Sequence, residues 1–151
     1  FESGGHMVWD AVVLLAEVSE VKETTRRGGE PSRYVYVDAS AMQFVIRSML
    51  KMAHPVLVVD RPAASPSTPP ADLVGQTCLT DTIAEQLPLP AVAAGDLLCL
   101  LHQGAYCDTT STQVNSFPRP AVALVADGGS QIVKRRETLS DVHARDLPLQ
   151  A

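Results

Sequence analysis

The sequence predicts a mostly β fold, an antiparallel β-barrel or sandwich with one main helix near residues 40–53. Three observations carry this. Short runs of β-branched, leucine and tyrosine residues recur along the chain, each bounded by Gly, Pro or polar clusters, which is the signature of short strands. The period changes at Ser40 from alternation to helical spacing. At 151 residues, 46% hydrophobic and 19% charged, the chain has material for one ordinary core, and no repeat or second domain is visible.

The elements follow in order. AVVLLAEVSEVKE (11–23) begins apolar on both faces and then alternates, a long strand leaving a core. TTRRGGEPS (24–32) is a turn. RYVYVDA (33–39) sets Tyr34 and Tyr36 against Val35 and Val37, a second strand expected to pair antiparallel with the first. Ser40 with Gln43 forms the S-x-x-Q capping box, and Met42, Val45, Ile46, Met49 and Ala53 fall at helical spacing. The helix is expected to stop before His54-Pro55, because a residue preceding proline disfavours the α region.

PVLVVDR (55–61) reads as a third strand. PAASPSTPPAD (62–72) holds four prolines in eleven residues and reads as an exposed loop. LVGQTC (73–78) returns to strand character, and Thr80 or Asp81 is placed to cap a single helical turn ending near Gln86. LPLPAVAAGD (87–96) leads into the strand LLCLL (97–101). AVALVADGGSQIVKRRE (121–137) is a hairpin around Asp127-Gly128-Gly129. The tail TLSDVHARDLP predicts a short last helix from Ser140, stopped by Pro148.

One connection is out of proportion. In LHQGAYCDTTSTQVNSFPRP (101–120) nearly twenty residues separate two strands, where a hairpin needs about two to five. Gly-Ala-Tyr at its head and Asn115 near its end mark it as a site loop, not a turn.

Bulk properties remove several classes. A net charge of −5 argues against a nucleic-acid partner, which calls for a basic face. The basic residues cluster only at Arg26-Arg27 and Lys134-Arg135-Arg136, both of which read as solvated. No apolar run reaches the ~20 residues of a membrane helix, so no membrane partner is expected. FESGGHMVWDA has no basic region followed by an apolar one, so no secretory leader is expected. Cys78, Cys99 and Cys107 are odd in number and unpaired in spacing, which points to a reduced, cytoplasmic setting. His6, His54, His102 and His143 lie far apart, and no metal-ligand spacing occurs, so the metal expectation is none.

Six motifs stand in sequence: FESGG (1–5) then Ala11; VDASAMQFVIRSMLKMAHP (37–55); VGQTC followed by Asp81; LP…GDLL (89–98); GAY (104–106); and NSFPRPAVALV with RRET (115–138). With them the chain resembles, over essentially its whole length, the C-terminal β-domain of fold-type III pyridoxal-phosphate decarboxylases, which include diaminopimelate and ornithine decarboxylases. The resemblance implies an amino-acid carboxy-lyase that acts only as part of a larger assembly. In that family the active site lies between a (β/α)8 barrel and the β-domain of the dimer partner. The cofactor, pyridoxal 5'-phosphate, is held by a lysine of the barrel. None of Lys22, Lys51 and Lys134 stands in such a context. The expected partner is therefore a (β/α)8 barrel chain or domain, in a dimeric or higher assembly, with an amino-acid-type substrate.

The resemblance also suggests roles. The family's Glu-Pro-Gly-Arg survives as Glu2-Ser3-Gly4-Gly5. Glu2 matches the carboxylate that keeps the cofactor's ring nitrogen protonated; its bland alternative is a solvated acid. Gly4 belongs to the same cofactor-binding turn. Tyr106 matches a tyrosine beside the cofactor phosphate and the substrate, where a phenol donates directionally without adding charge. Small Gly104 and Ala105 allow close backbone approach. The alternative for Tyr106 is a rim residue before a loose loop. Cys78 matches a catalytic cysteine contributed across the dimer interface, able to deliver or steer a proton; the alternative is a buried strand-end cysteine. Asp81 matches an acid that binds a substrate amine, or is a helix cap. Arg47 matches an arginine that binds a substrate carboxylate, or is a surface residue. His54 reads as a packed structural histidine.

Departures limit the match. Gly5 replaces the arginine of the first motif, Lys51 a tyrosine four residues after Arg47, Leu79 the acid after the cysteine, and Val114 an aromatic before Asn115; the cysteine motif is one residue short. These changes predict a substrate other than diaminopimelate, either another amino acid or one tethered to a carrier or a larger natural product. They also keep open a non-catalytic homologue that acts as a partner-binding or regulatory protein. A small binding module with accidental matches is the bland reading.

Overall fold

The computed structural model describes residues 4–52, 55–79 and 81–148, the Arg47 side chain excepted. The predicted mostly β architecture with one main helix is observed. Six strands, β1 (Leu14–Thr25), β2 (Pro31–Val37), β3 (Val56–Val58), β4 (Ala71–Val74), β5 (Thr82–Leu87) and β6 (Leu97–Leu100), form one curled sheet in the order β3-β6-β1-β2-β4-β5. Two more, β7 (Val122–Ala126) and β8 (Gly129–Lys134), form a separate hairpin. No helix among the described residues is long and apolar enough to cross a membrane.

β1 is the hub. Leu14–Glu17 pairs antiparallel with β6, and Val18–Thr25 pairs antiparallel with β2. The register slips between Val18 and Glu20. A bulge of this kind bends and twists a strand, and it lies where β1 changes partner. Phe44, Leu73, Leu89, Leu98, Leu100, Val18, Val35 and Val37 are each fully buried. The alternation read in β2 holds: Val35 and Val37 point into the core, while half-buried Tyr34 and Tyr36 line the other face.

Several expectations are corrected. The helix is shorter than 40–53 and starts as a 3-10 turn (Ala41–Phe44) before α1 (Val45–Met49). Its Ser40–Gln43 capping box is present as read. Residues 82–87 are strand β5, not a helical turn; Ile83 faces the core and the segment pairs with β4. Tertiary pairing overrides a local cap signal here. The sheet is not purely antiparallel, since β2 and β4 run parallel. The long excursion between them, through α1, β3 and the proline-rich loop, supplies the crossover that parallel strands need. Finally, Arg26 is not simply solvated. It pairs with buried Asp72, 46 residues away, and Asp72 also accepts from the Gln86 N–H at 2.9 Å.

The hairpin turns at Asp127 (φ 51°) and Gly128 (φ 75°), the two positive-φ positions that a tight I′ turn requires. The last helix, α2 (Leu139–Val142), begins one residue before the expected Ser140, is capped by Thr138 with Asp141, and ends at His143, ahead of Pro148.

Candidate functional site

The site loop and the N-terminal turn are built on each other. Tight turns fold residues 5–11, with Val8 N–H donating to Gly5 C=O at 3.1 Å and Ala11 N–H to Val8 C=O at 3.1 Å. Gln103 and Gly104 N–H groups then donate to Val12 and Trp9 carbonyls at 2.9 and 3.2 Å, and the Trp9 ring rests against His102 with centroids 5.5 Å apart. Gly104 is required sterically: a Cβ there would lie 1.5 Å from the Val8 carbonyl oxygen. A Cβ on Gly5 would lie 2.8 Å from the Ala105 Cβ.

This docking sets Tyr106 beside Gly4. A Cβ on Gly4 would stand 3.4 Å from the Tyr106 hydroxyl, so that hydroxyl lies directly beside the bare glycine. Tyr106 has φ 61°, a left-handed backbone that is costly for a bulky residue and recurs at functional sites. Its carbonyl accepts from the Thr110 hydroxyl, and its side chain is half exposed. Gly4 and Tyr106 are thus brought together. Glu2 lies outside the described residues.

A second group forms at the other end of the loop. Cys78 is exposed, whereas Cys99 is half-buried and Cys107 is buried with its thiol donating to Gln103 Oε1 at 3.2 Å. Burial pushes the Cys99 thiol up. Asn115 Nδ2 donates to Cys78 Sγ at 3.6 Å. Asn115 and Ser116 are both left-handed, at φ 56° and 60°; asparagine accepts that conformation more readily than most residues. The sequence flagged Asn115 only as the end of a long loop. Nothing local joins it to a cysteine 37 positions earlier.

Asp81 is buried, unlike Cys78 three residues before it. Its Oδ1 accepts from Ala41 N–H at 2.7 Å and its Oδ2 from Thr77 N–H at 2.8 Å. The cap chemistry anticipated for Asp81 therefore serves a turn 40 residues upstream. The backbone of Arg47 lies in α1, its side chain and His54 outside the described residues. Leu79 is exposed, and exposed Lys51 lines an open cleft of about 410 Å³ with Ser48, Met52, Thr82 and Glu85.

The loop is tied down between its ends. Thr112 donates to the Met42 carbonyl from its N–H (3.0 Å) and its hydroxyl (3.3 Å). Beyond Asn115, Glu137 accepts from the Arg119 N–H (2.9 Å), the Gln113 amide (2.9 Å) and the Arg119 guanidinium (2.8 Å). The Arg119 backbone N–H first, then Gln113 and the guanidinium, hold the Glu137 carboxyl below its ordinary range.

A sequence model described as the pyridoxal-dependent decarboxylase C-terminal sheet domain matches residues 8–104. The diaminopimelate decarboxylase of Methanothermobacter thermautotrophicus is 37% identical over 142 residues, covering 93% of this chain and 32% of that protein. That of Bacillus subtilis is 31% identical over 150 residues, covering 99% and 33%. The crystal structure of diaminopimelate decarboxylase from Helicobacter pylori complexed with L-lysine superposes with a TM-score of 0.77 at 27% identity, covering 93% of this chain and 33% of that one. The lysine/ornithine decarboxylase from Vibrio vulnificus complexed with putrescine gives 0.59 at 29% identity, covering 77% and 30%. The chain spans about a third of the length of the relatives it matches.

Proposed function

Because the chain belongs to the family of pyridoxal-dependent decarboxylase C-terminal sheet domains, we propose that it supplies one wall of an amino-acid decarboxylase active site. The other wall is a (β/α)8 barrel, in the same longer protein or a partner chain, and the cofactor is pyridoxal 5'-phosphate. The observation that carries this reading is Tyr106, held in a left-handed backbone with its hydroxyl beside the bare Gly4. An exposed phenol next to a missing side chain fits the approach of a phosphate group.

When bound, pyridoxal phosphate supplies an electron sink for the pair left as carbon dioxide departs. In this reading Tyr106 donates its O–H to the phosphate, and Gly4 keeps the approach clear. Gly104 lets the loop seat against the N-terminal turn, which fixes where the phenol points. Glu2, the acid of the first motif, would hold the ring nitrogen's proton. Cys78 stands at an exposed edge with Asn115 on its sulfur, and there it holds the proton that replaces the lost carboxylate.

The substrate we propose is an amino acid other than diaminopimelate. An arginine at position 5 has no room, because even its Cβ meets Ala105. Position 79 presents an exposed leucine and no acid, and position 51 presents a lysine in place of a phenol.

The test uses the full-length protein with its barrel. Decarboxylation is assayed on a panel of amino acids that includes diaminopimelate, and cofactor affinity is titrated by absorbance. Tyr106→Phe is expected to weaken cofactor binding roughly tenfold, the worth of one hydrogen bond to a charged group. Unchanged affinity overturns the phosphate role. Efficient turnover of diaminopimelate overturns the substrate reading. No release of carbon dioxide from any amino acid, with no cofactor bound, favours the non-catalytic homologue.

A further inference from the structure

We infer that Asp81 is the positioning residue for Cys78: its carboxylate clips the 75–81 loop to the start of the helix, and it does not contact substrate. The inference rests on the proposed role of Cys78.

Both carboxylate oxygens face inward. Oδ1 takes the Ala41 N–H at 2.7 Å and Oδ2 the Thr77 N–H at 2.8 Å. The Asp81 carbonyl takes the Gly75 N–H at 2.7 Å, and the Gln76 N–H reaches the Ala39 carbonyl at 3.2 Å. Four hydrogen bonds thus close the loop on itself and on residues 39–41. Two of them are charge-assisted, the stronger kind. Gly75 makes room for this arrangement, since a Cβ there would lie 2.4 Å from Asp81 Oδ2 and 2.6 Å from the Ala39 oxygen.

The geometry opposes a substrate-binding role. A carboxylate that grips a substrate amine needs a face toward the ligand, yet Asp81 is 3% exposed. Gln76, Cys78 and Leu79 are the exposed residues of the loop, and Cys78 stands one residue beyond the clipped Thr77. The Asn115 amide approaches the thiol from the opposite segment, and that segment is itself tied to Met42, next to Ala41. Both partners of the thiol contact are therefore referenced to one turn, 41–42, and Asp81 is the link on the cysteine side.

The experiment uses the full-length protein loaded with cofactor. Asp81→Asn keeps the shape and sets an amide N–H₂ against one of the two donors. The expected result is kcat lower by roughly tenfold, KM within about twofold, and cofactor affinity unchanged. Amide exchange in the 75–81 peptide should be faster. In a Cys78→Ala background Asp81→Asn should cost less than about twofold more, because residues acting as one unit are not additive. Gly75→Ala should reproduce the pattern.

A tenfold rise in KM with exchange unchanged would make Asp81 a substrate ligand and overturn the inference. So would a full Asp81→Asn loss in the Cys78→Ala background. If Cys78→Ala leaves kcat intact, the proposed role of the thiol fails and the positioning role with it, whereas the clip is judged separately by exchange. Should the variants not fold, wild-type exchange decides: a Thr77 amide that exchanges at the rate of free loop overturns the clip.

Discussion

The curled sheet and the β7–β8 hairpin are made of the same residue types in the same alternation, yet one is buried and the other is bare. In the sheet, Val18, Val35, Leu73, Leu98 and Leu100 are fully buried. In the hairpin, Leu124, Val125, Ile132 and Val133 are all more than half exposed. The difference teaches that an apolar β pattern specifies a strand without specifying what covers it. β1 covers itself by bending at its bulge and pairing with β6 and β2 in turn. Among the described residues, the base of the hairpin is tied by polar pairs, Lys134 with Asp108, Arg119 with Glu137 and Arg135 with Asp141. An exposed apolar ribbon of this kind marks an interaction surface.

The largest expected effect tests that contrast directly. In the isolated domain, Leu98→Ala should cost about 2–5 kcal/mol, the range for truncating a fully buried leucine. Ile132→Ala should stay within about 0.5 kcal/mol, as surface changes do. Urea unfolding of both variants measures this. An Ile132→Ala loss as large as that of Leu98→Ala would mean that the hairpin finds its cover within this chain.

A smaller effect sharpens the contrast at two glycines. A Cβ on Gly104 would collide with the Val8 carbonyl, whereas on Gly129 it would meet Ala126 oxygen at an ordinary 3.7 Å. Gly104→Ala should cost about 1–3 kcal/mol as an overpacking change, concentrated in the docked turn 5–12. Trp9 is the only tryptophan and sits in that turn against His102, so its emission reports the docking. Gly104→Ala should shift that emission to the red and Gly129→Ala should leave it unchanged. The opposite pattern would separate Tyr106 from the N-terminal turn and remove the basis of the proposed phosphate contact.

What was legible in the sequence divides along a physical line. Features set by neighbours within four residues were readable: the alternation of β2, the Ser40–Gln43 box, the Asp127-Gly128 turn. Features set by partners far along the chain were not. Asp81 reads locally as a cap, but the donors it satisfies include one 40 residues away, and its neighbours 82–87 become strand because β4 offers an edge. Arg26 reads as solvated because Asp72 is 46 positions on. In the site, the resemblance named Gly4 and Tyr106, and the structure sets them side by side. The Asn115 contact to Cys78 depends on two left-handed residues that no local pattern announces.

The smallest expected effect lies at the joint between the two regions. Glu137, just after β8, accepts three hydrogen bonds from Arg119 and Gln113 at the end of the site loop. Glu137→Gln should cost about 1 kcal/mol at pH 7, a hydrogen-bond loss moderated by solvent screening. Because those donors lower the folded carboxyl below its ordinary range, its contribution is present above the unfolded value of roughly 4.3. It is lost as pH falls through the lower folded value, since protonation then removes the acceptor charge. The stability gap between wild type and Glu137→Gln should therefore narrow below about pH 4. Denaturant midpoints at pH 7, 5 and 3 read the gap, and ionisations shared by both proteins, such as Asp141 with Arg135, cancel in the difference. A gap that stays constant down to pH 3 would mean that shape and not charge holds the hairpin to the loop. A gap well above the expected size would make Glu137 the principal support of the hairpin and weaken the case that its cover lies elsewhere.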